Sequence, residues 1–135
     1  MPRLYREAPL NSIWEGSGNV NALDVLRAME REPESVTAFV AELEEARGSD
    51  ARFDRSLVEL KQELSNGAAA EAGARRLVER LAMTLEGSLL VRFGDPAVAD
   101  AFCASRLGGD WGHSFGTLPQ GLELASIVQR HRPPA

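Results

Sequence analysis

An all-α, antiparallel helical bundle of about five to six helices is the fold class this sequence predicts. Three observations predict it. Apolar residues recur at three- and four-residue spacing from residue 18 onward. Glycine, proline and capping residues punctuate that pattern at helix-length intervals. No stretch alternates apolar and polar residues long enough to make a strand.

The elements follow in order. Gly18-Asn19 opens the first helix, with Asn19 a plausible cap. Val20, Leu23 and Leu26 mark its stripe, and it ends near Arg31. Pro33 suits the first turn of a second helix, in which Val36, Phe39, Val40 and Leu43 fall at i, i+3, i+4 and i+7 before Gly48 stops it. The Glu42, Glu44 and Glu45 run is the polar side of that helix. A third helix starts at Ser49 or Asp50, carries Phe53, Leu57, Leu60 and Leu64, and breaks at Asn66-Gly67. The fourth is the longest, roughly Ala68 to Arg92, with Leu77, Leu81, Leu85 and Leu89 on a four-residue repeat. Gly73 and Gly87 inside it each cost about 1 kcal/mol of helix propensity. They are expected to permit close helix contact rather than to break the helix. Asp95 caps a fifth helix with Pro96 at its first position, and Val98, Phe102 and Leu107 point inward. Residues 108–119, GGDWGHSFGTLP, hold four glycines and form a loop. Leu122, Leu124, Ile127 and Val128 support a last short helix before a Pro-rich tail. Residues 1–135 thus read as one domain: a strip over 1–18, the main bundle over 19–107, and a loop, short helix and tail over 108–135.

Composition bounds the function. A chain of 135 residues with 44% apolar content can bury a core without disulfides or metals. No apolar run approaches the roughly 18 residues that span a bilayer, and Arg3, Arg6 and Glu7 interrupt any signal peptide. A soluble, cytoplasmic protein with no membrane partner is expected. Cys103 is the single cysteine and reads as a small buried apolar residue. Net charge is −5, which argues against strong nucleic-acid binding by the domain as a whole. A local basic face remains open: Arg75, Arg76 and Arg80 share one helix that Arg92 continues, and Arg47, Arg52 and Arg55 form a second cluster. Glu71, Glu79, Asp50 and Asp54 dilute both, so solvated helix faces account for them equally well. Trp111, His113 and Phe115 stand together in the glycine loop, where packing over the bundle explains them. His113 and the distant His131 are too few ligands for a metal, and none is expected.

The strip before the first helix carries the chemistry. Glu15 lies between Trp14 and Gly16 on a short exposed turn. Apolar surface near it raises a carboxylate pKa toward the range of a general base. Glycines at 16 and 18 let the backbone approach a flat cofactor, and the amides of Ser17 to Asn19 can meet an anionic or carbonyl group. A solvated glutamate beside a plain turn reads the same residues without function.

Tyr5-Arg6-Glu7-Ala8-Pro9, leading into Asn11-Ser12-Ile13-Trp14-Glu15-Gly16-Ser17-Gly18-Asn19, resembles the active-site strip of the acyl-CoA dehydrogenase superfamily. Trp14, Ser17-Gly18-Asn19 and Asp24-Val25-Leu26-Arg27 are most similar to its adaptive-response AidB branch, which is associated with DNA alkylation damage. Phe53-Asp54-Arg55, the long helix, Phe102-Cys103 and Gly116-Thr117-Leu118-Pro119 fall in family-like order. The resemblance is specific over residues 2–27 and loose afterwards.

The resemblance implies an FAD-dependent oxidoreductase acting on CH–CH groups. It makes Glu15 the base that takes the α-proton of an acyl-CoA, while hydride passes to the flavin. Ser17 stands where the main family has threonine. Ile13, Trp14, Glu15, Gly16, Ser17, Gly18, Asn19, Val20 and Leu23 would line FAD, and Arg27 would lie near the substrate. The family's flavin also needs an N-terminal helical domain and a central β-domain. The chain is therefore expected to be a C-terminal portion, inactive alone and completed by those domains. Two other readings stand beside it. One is a helical module that places an AidB-like protein on duplex DNA through Arg75, Arg76, Arg80 and Arg92. The other is a homo-oligomerising module that uses Leu10, Ile13 and Trp14.

Overall fold

The computed structural model describes residues 2–10, 17–65, 71–112 and 114–132. These residues are helical with irregular connections, and no strand occurs among them. Among the described residues there are seven α-helices: α1 (Pro2–Glu7), α2 (Ser17–Arg31), α3 (Pro33–Glu44), α4 (Ala51–Ser65), α5 (Ala74–Phe93), α6 (Pro96–Phe102) and α7 (Leu124–Arg130). A short 3-10 turn, Glu71–Gly73, precedes α5, and a π-helical turn, Cys103–Leu107, continues α6.

The expected boundaries largely hold, and the differences have local causes. Helix α1 lies in the strip, where no helix is expected. An Arg3–Glu7 pair at i, i+4 (3.0 Å) supports it, and none of its residues is buried. Helix α5 starts at Ala74, so Gly73 stands at its N-cap rather than inside it. Residues 66–70, expected to break one helix and start the next, lie outside the described residues. Gly48 ends the turn after α3 with φ +84°, a conformation glycine adopts without strain. Asp95 caps α6 as expected, its side chain accepting from the amides of Ala97 (2.9 Å) and Val98 (3.4 Å).

Helix α5 is the hub, packing on α2, α4 and α6, with α3 also touching α2. Phe53, Leu57 and Leu60 of α4 supply the centre, joined by Leu43, Leu77 and Cys103. The four-leucine repeat of α5 does not stay in the core. At 3.6 residues per turn a four-residue step drifts by about 40°, so Leu77 is buried, Leu81 and Leu85 are half-buried and Leu89 is exposed. The buried line of α5 is instead Ala74, Leu77, Thr84, Gly87 and Ser88. In α2 likewise the buried line is Ala22 and Leu26, Leu23 packs beside them, and Val20 is exposed. Val98, Phe102 and Leu107 are half-buried rather than fully inward.

Small residues let these helices approach. A Cβ at Gly87 would lie 2.7 Å from Leu107 Cδ1 and 3.5 Å from a Phe53 ring carbon, so its hydrogen is what lets the π-helical turn and α4 close on α5. Thr84 and Ser56 share a hydrogen bond (3.1 Å) across the α4–α5 contact, and the Thr84 hydroxyl also donates to the Arg80 carbonyl (2.8 Å).

Ion pairs tie the helices at their edges. Arg52 reaches Asp50 (2.5 Å) and Asp100 on α6 (2.6 Å). Asp50 also accepts from the amides of Arg52 (2.7 Å) and Phe53 (3.3 Å), capping α4. Its carboxyl is held below the usual range, first by the Arg52 guanidinium and then by those amides. Arg47 and Lys61 converge on Glu44 and hold it down to about 2. No described helix is long and apolar enough to cross a membrane.

Candidate functional site

Ile13, Trp14, Glu15 and Gly16 lie outside the described residues. The described part of the strip is its two flanks. Upstream, Leu4, Tyr5 and Leu10 are exposed at 65%, 82% and 49%. Downstream, Ser17 opens α2, followed by exposed Gly18, Asn19 and Val20.

Helix geometry sorts the predicted flavin contacts on α2. Asn19, Leu23 and Arg27 follow at four-residue intervals, so they share one side of the helix over two turns. Leu23 is half-buried against the core and anchors that side, while Asn19 remains open to solvent. Arg27 is exposed and paired with Asp24, one turn earlier, at 2.7 Å. An exposed pair of this kind holds a side chain only weakly. Arg27 can therefore exchange Asp24 for another anion at little cost.

One neighbour of the strip was not legible in the sequence. A Cβ at Gly18 would lie 3.5 Å from Arg75 Nη2, which places the Arg75 guanidinium against the first turn of α2. The first turn of α2 and the start of α5 thus meet, and a cation lies beside a helix opening. Nothing in local sequence pattern links these positions, because the contact follows from how α5 packs on α2.

The remaining arginines divide in two. Arg80 is held by Glu59 (2.9 Å) and Glu63 (2.6 Å), and Arg92 by Glu42 with its guanidinium 4.6 Å over the Phe93 ring. Arg75 and Arg76 are exposed and form no ion pair among the described residues. In the second cluster Arg47 and Arg52 are engaged by Glu44, Asp50 and Asp100. Cys103 is fully buried, and burial pushes its thiol up to about 11, so it is not a nucleophile at neutral pH. No group of three or more metal-ligating side chains occurs among the described residues. Trp111 carries the Arg106 guanidinium at 5.0 Å from its ring, Phe115 stands in solvent, and His113 lies outside the described residues.

An apolar groove of about 370 Å³ runs between α2, α3 and α5, walled by Val25, Met29, Val36, Phe39, Leu81 and Leu85. It contains no titratable group, so it can hold apolar matter but can do no acid–base chemistry.

No family model matches the chain. Two curated proteins are similar to it. Over 103 residues, 76% of this chain, it is 38% identical to the "Putative acyl-CoA dehydrogenase AidB" of Escherichia coli (strain K12). Over 98 residues, 73% of this chain, it is 31% identical to "Acyl-CoA dehydrogenase family member 11" of Caenorhabditis elegans. The matched segments make up 19% and 14% of those two proteins, so the chain spans less than a fifth of either. With helices and no strand among its described residues, and 38% and 31% identical to these two proteins over the aligned segments, this chain is related to the acyl-CoA dehydrogenase superfamily.

Proposed function

We propose that the chain is the C-terminal part of an FAD-dependent, AidB-like acyl-CoA dehydrogenase, supplying the carboxylate base and one wall of the flavin site. The observation that carries this reading is the similarity to AidB together with the exposed first turn of α2. Glu15 takes the role of base toward the α-carbon of an acyl-CoA, with the proton ending on its carboxylate. Trp14 supplies the apolar neighbour that keeps that carboxylate basic. Ile13, Gly16, Ser17, Gly18 and Val20 form the surface laid against the cofactor, and Asn19 offers its amide to a polar edge. Leu23 fixes the helix from below. Arg27 orients substrate. Arg75 joins the set as a cation beside Gly18. Bound flavin supplies the hydride acceptor for the β-carbon.

The exposed residues fit half of such a site. Gly18, Asn19 and Val20 are exposed on an accessible turn, with Arg75 beside Gly18. The opposing wall is assigned to an N-terminal helical domain and a central β-domain of the same kind of protein. The chain alone is therefore expected to be inactive and to retain no FAD. Absorbance of the purified chain at about 450 nm tests this. A stoichiometric flavin would contradict it.

Duplex DNA is a second reading that rests on Arg75 and Arg76, because Arg80 and Arg92 are occupied by glutamates. Duplex binding whose affinity falls steeply with salt would favour it, and a flat salt response would remove it. Self-association through the exposed Leu4, Tyr5 and Leu10 is a third, decided by the mass of the chain in solution.

A further inference from the structure

Two cavities adjoin where the glycine-rich segment meets the bundle, and Arg106, laid on Trp111, lines both. On one side a cavity of about 600 Å³ is lined by Trp111, Phe115 and Leu118, with Ser105 and Thr117. On the other, a cavity of about 280 Å³ is lined by Arg76, Arg80 and Arg106, with Glu59 and Glu79. One side is apolar and aromatic, and the other is charged.

The charges on the second side are unevenly paired. Arg80 is neutralised by Glu59 (2.9 Å) and Glu63 (2.6 Å). The Ser56 and Thr84 hydroxyls, also on this wall, are satisfied by each other at 3.1 Å. Arg76 and Arg106 remain, opposed only by Glu79, and neither makes an ion pair among the described residues.

The backbone is specialised here. Cys103–Leu107 is π-helical, closed by the Gly108 amide donating to the Cys103 carbonyl at 2.7 Å. Such wide turns are uncommon and concentrate at functional sites. This one carries Arg106 outward onto Trp111 while the adjacent Leu107 packs on Gly87. The segment over the cavity is pinned in turn. Thr117 Oγ1 accepts from the Gly112 amide (3.1 Å) and donates to the Ser114 carbonyl (2.6 Å).

We propose that this double cavity binds a small organic anion. Its phosphate or carboxylate head sits between Arg76 and Arg106, and its flat apolar body lies along Trp111, Phe115 and Leu118. Guanidiniums pair with such heads through charge-assisted hydrogen bonds, and an aromatic wall accepts any planar body. The site uses none of the strip residues and stands apart from the flavin reading.

The test uses the full chain with Trp14→Phe, which leaves Trp111 as the only indole. Phenyl phosphate is the probe, followed by Trp111 emission. Saturable binding with Kd of about 1 mM or tighter is expected. Arg76→Gln and Arg106→Gln should each weaken it about tenfold. Arg76 is exposed, so its variant reports on binding even if Arg106→Gln perturbs the π-helical turn. Benzyl alcohol should give no response, and inorganic phosphate should bind more weakly than phenyl phosphate. No saturation by about 10 mM would overturn the proposal. So would unchanged affinity in the Arg76→Gln variant, or inorganic phosphate binding as tightly as the phenyl ester. Binding of a single-stranded oligonucleotide without binding of phenyl phosphate would overturn it as well.

Discussion

Residues 2–21 and residues 22–105 differ in one physical respect. None of the side chains described in the first is buried, and every buried side chain among the described residues lies in the second. The first holds the residues that resemble a flavoenzyme strip. The second holds Phe53, Leu57, Leu60 and the ion pairs that lock α4 to its neighbours. The described bundle buries a core of its own, and the described flanks of the strip leave their side chains in solvent. The core and the proposed flavin-site strip lie in different parts of this chain, so mutation should separate their effects.

The largest effect on the bundle is expected at Phe53. It is fully buried at the centre of the core, and Phe53→Ala should cost about 3–5 kcal/mol in denaturant unfolding. Gly87→Val comes next. Its side chain would collide with Leu107 and press on Phe53, and a loss of about 1–3 kcal/mol is expected in the same measurement. A gain in stability would mean that Leu107 moves aside freely.

Asp50→Ala removes the α4 cap and one partner of Arg52, which should cost about 1–2 kcal/mol at neutral pH. Asp50 also sets a pH dependence. Its carboxyl titrates lower in the folded chain than in the unfolded one, so the unfolded state binds its proton first as pH falls. The stabilisation is complete above about pH 4 and is lost as pH drops through the folded value. Glu44, held down to about 2 by Arg47 and Lys61, adds a loss in the same direction between its ordinary value of 4.5 and about 2. Unfolding midpoints measured between neutral pH and about pH 2 should show this limb, and Asp50→Asn should flatten it.

The smallest effects belong to the strip. Leu4→Ser and Tyr5→Ser should change the stability of the chain by less than about 0.5 kcal/mol, since both residues face solvent. A loss above about 1 kcal/mol would show that the strip packs on the bundle in solution.

Periodicity located the helices of the bundle well because their punctuation is explicit. Asp95-Pro96 starts α6, Pro33 starts α3, and Gly48 takes the positive φ that ends the turn after α3. It was less reliable about which face turns inward. The leucines of α5 suggested one face, yet the closest packing is made by Thr84, Gly87 and Ser88, whose small size is the reason they are buried. Hydrophobicity patterns do not register a contact selected for smallness. Helix α1 escaped because its pattern carries no apolar stripe against a core; it is supported by Arg3–Glu7 and local propensity.

The candidate site was legible only in part, for a related reason. Residues such as Gly18 and Asn19 announce themselves by local type and order. The Arg75 guanidinium beside Gly18, and Arg106 on Trp111, are products of tertiary packing and of a π-helical turn that no local periodicity encodes. The reading of Glu15 rests on similarity and on the exposed helix opening beside it.

On the proposed reading, the strip completes a flavin site whose other wall is supplied by different polypeptide. The most direct measurement mixes this chain with the remaining domains of an AidB-like protein and FAD, and follows flavin fluorescence. Quenching should require both polypeptides together and weaken when Gly18 or Asn19 is replaced by a bulky residue. Equal quenching with the chain left out, or flavin bound stoichiometrically by the chain alone, would contradict it.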